Sequence, residues 1–356
     1  MQRVSFGIVG SGFMGQSHAK ALAAIPDACV RWICGRDTDK VSELASQVGG
    51  QGTTDLEEVL ADPLVDAVLV CVPTGLHKDV AIEALRAGKR VLCEKPVALT
   101  LAEADAMIAA AAEAARRAGI VEGDREHLAA HFLMIGHVLR FWPEYEELQA
   151  LNEQGAFGGI ASLELERLST APKWADWFSD LSMSGGMVVD LMVHDFDIAC
   201  SLLGVPQTVT AWGAKPPSGD WKHVHVLITF AGGGKAHVVG SHLMPPAYPF
   251  TSSVRVVGEQ GAAEYRYTAG GTSVTDSAAM PSPLIYYSAE GVRYPLEEGV
   301  AADPYARQLA YFIGCVRENR AVERGTPLQA KTALAVALAA RQSLATGTSV
   351  GIELTK

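Results

Sequence analysis

Asp190 and His194 lie four residues apart in GGMVVDLMVHD, a stretch from Gly185 to Asp195 that is otherwise apolar. On one helix that spacing is a turn plus about 40° of rotation, so a carboxylate and an imidazole would share a face and could hold and move a proton together. The flanking Met187, Val188, Val189, Leu191, Met192, Val193 and Phe196 predict that this face is at least half buried, where an uncompensated carboxylate costs several kcal/mol. The plainer alternatives are a core histidine held by a local carboxylate, or acids favouring a helix N-terminus. A second candidate stands in CEKPVALT: Pro96 forces Lys95 into an extended conformation and can support a cis bond, which fixes the direction of the lysine. Alone, that lysine would read as a surface residue at a strand end.

The elements that must position these groups begin at once. VSFGIV, Val4 to Val9, is a continuous apolar run suited to a strand buried on both faces, and GSGFMG follows with Gly10, Gly12 and Gly15 in GxGxxG spacing. QSHAKALAAI then takes on helical spacing. In a dinucleotide-binding turn the first glycine permits the tight turn, the second lets backbone approach a pyrophosphate and the third allows close helix-to-strand packing. The helix start offers N–H groups and a positive dipole end to phosphates. Gly10, Gly12, Phe13, Met14 and Gly15 are therefore cofactor candidates. Strand and helix alternate onward: 30–34, 40–48, 66–72, 77–88, 90–94, and a helix opened by the capping box Thr100 to Glu103. This order predicts a parallel sheet with helices on both faces, and ligands beyond the carboxyl ends of its strands. Pro73, Thr74, His77, Glu94 and Lys95 fall there. After the second strand, where NAD enzymes usually carry a ribose-binding acid, the chain reads Cys34, Gly35, Arg36, Asp37. Gly35 and Arg36 leave room and a cation for a 2′-phosphate, which favours NADP. The alternative is Asp37 as the ribose acid, with NAD.

The chain of 356 residues predicts about two domains. The break is expected at 122, giving domains 1–122 and 123–356. With 49% hydrophobic and 19% charged residues it is globular, and a net charge of -11 without a Lys/Arg cluster argues against nucleic acid. MQRVSFGIVG enters a strand with no leader before it, no apolar run reaches membrane-spanning length, and six cysteines stand singly, so a cytoplasmic protein is expected.

GSGFMG, EKP and GGMVVDLMVHD, together with VPTGLHKDVAIEALRAGKRVLCEKP, GHVLRFWPEY and the closing RGTPLQAKTALAVALAARQSLATGTSV, resemble the Gfo/Idh/MocA oxidoreductase family across nearly the whole chain. The resemblance implies a Rossmann domain followed by an α+β domain with a large, mostly antiparallel open sheet. It implies hydride transfer between a nicotinamide and a carbinol or ketone carbon of a sugar, polyol or inositol. Lys95, Asp190 and His194 match the family's catalytic residues. His194 would take the hydroxyl proton, Asp190 would orient it or hold a neighbouring hydroxyl, and Lys95 would stabilise alkoxide character; which of Lys95 and His194 takes the proton stays open. Relatives that cleave glycosidic bonds through transient oxidation, and non-catalytic cofactor sensors, are the alternatives. A metal held by Asp190, His194 and Asp197 is a rival use that nicotinamide chemistry does not require.

From about Gly123 the strand–helix rhythm stops, and 160–169, 207–214, 223–230, 235–243 and 252–259 alternate as strands of the second sheet. Its open face is free to pair with another subunit; the family resemblance implies a homodimer or homotetramer built through it, and the helix of about 326–346 is expected to pack back on the first domain. His223 and His225 share a strand face, as metal ligands or interface histidines. Arg140 is a candidate substrate clamp or surface ion pair. Trp174 and Trp177 are candidates for a wall against a sugar ring, or for core packing. The segment 119–131 looks longer than the family's usual link, as a flexible loop would.

Overall fold

The computed structural model describes residues 3–172, 176–217, 219–269, 282–296 and 303–354. They form two compact units, Met1–Phe141 with Ala302–Lys331, and Trp142–Ala301 with Thr332–Lys356. Among the described residues no helix is long and apolar enough to cross a membrane.

In the first unit β1 (Val4–Val9), β2 (Ala28–Cys34), β3 (Gln51–Thr53), β4 (Ala67–Val70), β5 (Arg90–Glu94) and β6 (Leu133–Gly136) make one parallel sheet in the order β3-β2-β1-β4-β5-β6. Every residue of β1 and of β4 is buried, as strands covered by helices on both faces must be. The chain leaves β1 on one side and returns through β4 on the other, so the carboxyl ends of these two neighbours form the switch point where such sheets bind ligands. Local signals place the helices: Asp37 caps Thr38–Val48, and Thr100 and Glu103 form both halves of the capping box that starts Leu101–Arg117.

The sequence sets the domain break at 122, whereas β6 pairs with β5 and the first unit continues to Phe141. It also takes in the distant helix Pro304–Arg317, whose Leu309, Phe312 and Ile313 join Phe6, Ile8, Leu22 and Ile33 in one core. Such a return of the chain leaves no trace in local periodicity. Residues 119–131 are not a loop throughout: Asp124 caps the helix Arg125–Ala130, and its Leu128, Ala129 and Ala130 are buried. The helix Pro327–Thr346 belongs to this unit only at its start, where the Lys331 ammonium donates to Asp105 at 2.7 Å. From Thr332 onward it counts with the second unit, where Ser343 accepts from the Ala211 amide.

The second unit is built on β7 (Ile160–Leu168), β8 (Pro206–Ala214), β9 (His223–Phe230), β10 (Lys235–Ser241), β11 (Thr251–Gly258), β12 (Gly261–Thr268), β13 (Ile285–Ser288), β14 (Gly291–Arg293) and β15 (Val350–Gly351). Their order is β14-β13-β12-β11-β7-β10-β9-β8-β15, antiparallel throughout except for the parallel pair β7 and β10. Leu163, Leu165, Val224, Val226, Val238, Val254 and Val256 alternate onto a buried face, against which the helix Val193–Leu203 packs at β7 and β10. Trp212, Leu227 and Arg255 point to the opposite, exposed face.

Candidate active site

The glycine turn has the geometry that a pyrophosphate needs. Gly10 follows β1 with φ of +113°, and a Cβ there would lie 2.4 Å from the Cys71 carbonyl oxygen. A Cβ on Gly15 would lie 1.8 Å from the Gly10 oxygen, so helix Phe13–Ala23 can sit this close to the strand end only with glycine. Gly12, by contrast, has no heavy atom within 4 Å of its Cβ position, and it starts the helix with no side-chain cap. The open side of the turn therefore presents the first-turn N–H groups, and Phe13 is 40% exposed beside them. Pro73 and the buried Thr74 lie beyond the carboxyl end of β4, with Lys95 directly after β5. These residues fit a bound nicotinamide dinucleotide.

At the end of β2 the picture is mixed. A Cβ on Gly35 would lie 2.8 Å from Ser11 Oγ and 3.0 Å from Val41 Cγ2, so packing as well as ligand space selects glycine. Arg36 is exposed. Asp37 accepts from the Lys40 amide at 3.2 Å, as the cap of its helix, and pairs with the Lys40 ammonium at 3.2 Å. The Lys40 amide bond, with the side-chain contact after it, holds the Asp37 carboxyl below its ordinary value.

Two residues expected to contact the cofactor are engaged by the protein itself. Glu94 is 6% exposed; one carboxylate oxygen lies 2.6 Å from His18 Nε2, and the other accepts from the Lys95 amide at 3.2 Å. Burial pushes the Glu94 pKa up, but the His18 hydrogen bond and the charges around it, Lys95 among them, bring it below its ordinary value. His77 faces the Pro96 carbonyl through Nδ1 at 2.8 Å and the Val72 carbonyl through Nε2 at 2.9 Å. It thereby ties the segment after β4 to the segment after Lys95; burial lowers its pKa, against the pull of both carbonyls. Lys95 itself is half-buried and its bond to Pro96 is cis. His18 escapes a motif search, and its one sequence sign is position: it shares the buried face of its helix with Gly15, Ala19 and Leu22.

In the second unit the single helix expected through Asp190 and His194 is two, Met187–Asp190 and Val193–Leu203. The Met192 amide bonds five residues back to Met187, and Asp195 and Phe196 both bond Met192 to start the new helix. At the break Met192 is fully buried against Gly240 of β10, where a Cβ would come 2.5 Å from Met192 Cγ. Asp190 and His194 are half-buried, one on each side of the break. Beside them is a pair that spacing does not reveal: Arg167 of β7 donates Nε and a terminal nitrogen to the two Asp195 oxygens at 2.8 and 2.9 Å, with both residues buried. It anchors the first turn of the His194 helix to the sheet.

The remaining candidates lie on separate elements. Arg140 is half-buried on the short turn Val138–Phe141 after β6, and the Trp177 ring stacks on Phe178 at 4.0 Å. Trp174 lies outside the described residues. His225 faces His223 through Nε2 at 3.0 Å and His237 through Nδ1 at 3.3 Å, so no one point is approached by all three rings. Among the described residues no three His, Cys, Asp or Glu side chains, Asp190, His194 and Asp197 included, are grouped to hold a metal ion.

Two family models match. Residues 4–121 match the oxidoreductase family with an NAD-binding Rossmann fold, and residues 145–264 match the GFO/IDH/MocA C-terminal domain. The chain is 29% identical over 359 residues to myo-inositol 2-dehydrogenase of Thermotoga maritima, covering 98% of each chain. It is 31% identical over 239 residues, 67% of each chain, to UDP-N-acetylglucosamine 3-dehydrogenase of Acidithiobacillus ferrooxidans. Among solved structures, GenD2 from gentamicin A biosynthesis in complex with NAD superposes with a TM-score of 0.80 at 27% identity, covering 99% of this chain and 97% of that one. From the glycine turn through the C-terminal sheet, the chain belongs to the Gfo/Idh/MocA family of NAD(P)-binding oxidoreductases.

Proposed function

We propose that the protein interconverts a secondary alcohol and a ketone on a sugar, polyol or inositol, with Lys95, Asp190 and His194 as its catalytic residues. The observation that carries this reading is the glycine turn, closed by Gly10 and Gly15 and open at Gly12, on a chain that also carries EKP and DLMVH. A bound nicotinamide dinucleotide would accept or supply the hydride. His194 takes the hydroxyl proton as alcohol becomes ketone, as a general base whose imidazole nitrogen can accept it. Asp190 steadies the imidazolium or a neighbouring hydroxyl, and the Lys95 ammonium donates to the reacting oxygen while it carries alkoxide charge. The substrate class is supported by the relatives named above, dehydrogenases of a cyclitol and of a sugar nucleotide. A panel of inositols, sugars and sugar nucleotides with NAD and NADP, followed at the nicotinamide absorbance, tests it; nicotinamide reduction by none of them contradicts it.

NADP is the preferred cofactor in this reading, supported by the exposed Arg36 next to Gly35 and by the engagement of Asp37 in its helix cap. Arg36→Ala is expected to weaken NADP by about tenfold, the worth of one charge-assisted contact, and NAD by less than about twofold. Equal effects in a fluorescence titration of both dinucleotides would contradict the assignment. The reading also includes a cytoplasmic homo-oligomer: the cysteines are free thiols, and the exposed sheet face displays Trp212, Leu227, Val257 and Val292.

A further inference from the structure

We propose that His18 is a positioning residue for Lys95: by donating its Nε2 proton to Glu94 in the interior of the first unit, it holds an ionised carboxylate against the lysine. The inference rests on the reading of Lys95 as catalytic, and its test separates the two. Its basis is geometric. His18 is fully buried, Glu94 is 6% exposed, and the two are 2.6 Å apart across 76 residues of sequence. His18 Nδ1 is buried with no hydrogen-bond partner, which makes Nε2 the proton-bearing nitrogen and the donor. The ring is fixed further by Tyr305, which meets it edge-on at 5.5 Å.

Glu94 converts this contact into control of its neighbour. Its second oxygen accepts from the Lys95 amide, so an anchored carboxylate sets the backbone from which the lysine side chain leaves β5. When ionised it offers two acceptor oxygens and a fixed negative charge one residue from the ammonium; when protonated it offers less of both. The groups that act on Glu94 are His18 from the helix Phe13–Ala23, His77 from the helix His77–Arg86, and Lys95. Burial pushes the Cys71 and Cys93 thiols well up and the Glu94 charge pushes them further, so they stay neutral beside it. His18 supplies the largest influence that favours the charged form, and its loss must raise the Glu94 pKa.

The sign of the effect follows. A raised carboxyl pKa leaves Glu94 protonated at pH values below it and ionised above, so a variant without the donor loses activity toward acid and regains it toward alkali. His18→Leu removes the donor while filling similar space. Its kcat is expected to be at least about tenfold below wild type near pH 6 and within about threefold near pH 9, a tenfold change corresponding to one pKa unit. His18→Gln, whose amide can donate to the same oxygen, is expected to restore the wild-type profile. Glu94→Gln should show a deficit of about tenfold that does not vary with pH.

Profiles of kcat against pH for these variants, with the dinucleotide dissociation constant measured alongside, test the proposal. A His18→Leu profile parallel to wild type overturns it, as does Glu94→Gln with wild-type kcat. If His18→Leu does not fold, Glu94→Gln and His18→Gln decide on the same terms. Lys95→Met, measured in the same series, isolates the underlying reading: full activity there removes Lys95 from catalysis, whereas an inactive Lys95→Met with an unchanged His18→Leu profile overturns only the role of His18.

Discussion

Lys95→Met is expected to lower kcat by about 10²–10³-fold, the loss typical of a donor aimed at developing negative charge, while the dissociation constant for the dinucleotide stays within about threefold of wild type. Methionine keeps the length and apolar contacts of the lysine stem, so the change isolates the ammonium. Lys95 follows β5 at the carboxyl edge of the sheet, but the cradle itself is made by backbone at Gly10, Gly12 and Gly15, none of which the substitution touches. Glu94 keeps its His18 hydrogen bond in this variant, and that bond outranks Lys95 among the influences holding the carboxyl ionised. Stopped-flow reduction of the nicotinamide and a fluorescence titration separate the two quantities. A comparable loss in both would make Lys95 a cofactor ligand instead of a group acting on the reacting oxygen.

The second large effect is on stability. Arg167→Met leaves the Asp195 carboxylate buried without the cation that grips both its oxygens, and breaking a buried pair from one side costs about 3–5 kcal/mol. In thermal unfolding that corresponds to a fall of roughly 10 °C for a unit of this size. The cost belongs to the orphaned charge more than to the lost attraction, so the double variant Arg167→Met with Asp195→Leu is expected to recover at least about half of it. Urea unfolding of the single and double variants checks this, and a single variant within about 0.5 kcal/mol of wild type would contradict it. Asp195 directly follows His194 in the chain, so the pair also holds the candidate base, and Arg167→Met should depress kcat even where the protein remains folded.

What sequence could and could not reveal divides along the range of the interactions. The glycine turn, the cap at Thr100 and the alternation of β9 are local, and each is found where its pattern puts it. The pairing of helix Pro304–Arg317 with the core around Phe6 and Ile8 is not local, and no pattern in the sequence announces it. The close approach of Met192, at the helix break, to β10 depends on the glycine at 240 in another strand. The ribose end reads ambiguously because Gly35 answers to packing against Ser11 and Val41 as well as to a ligand. Of the candidate residues, Lys95, Asp190 and His194 stand out by motif, but His18 and Arg167, which hold Glu94 and Asp195, do not. Each joins its carboxylate across 76 and 28 residues, and no spacing rule connects them.

The most direct measurement is a crystal structure with a nicotinamide dinucleotide and an unreactive polyol bound together. The account predicts the Lys95 ammonium and the His194 imidazole within about 2.6–3.2 Å of one carbinol oxygen, with that carbon facing nicotinamide C4. A polyol held away from the pyridine ring, or one whose oxygens meet neither side chain, would contradict it.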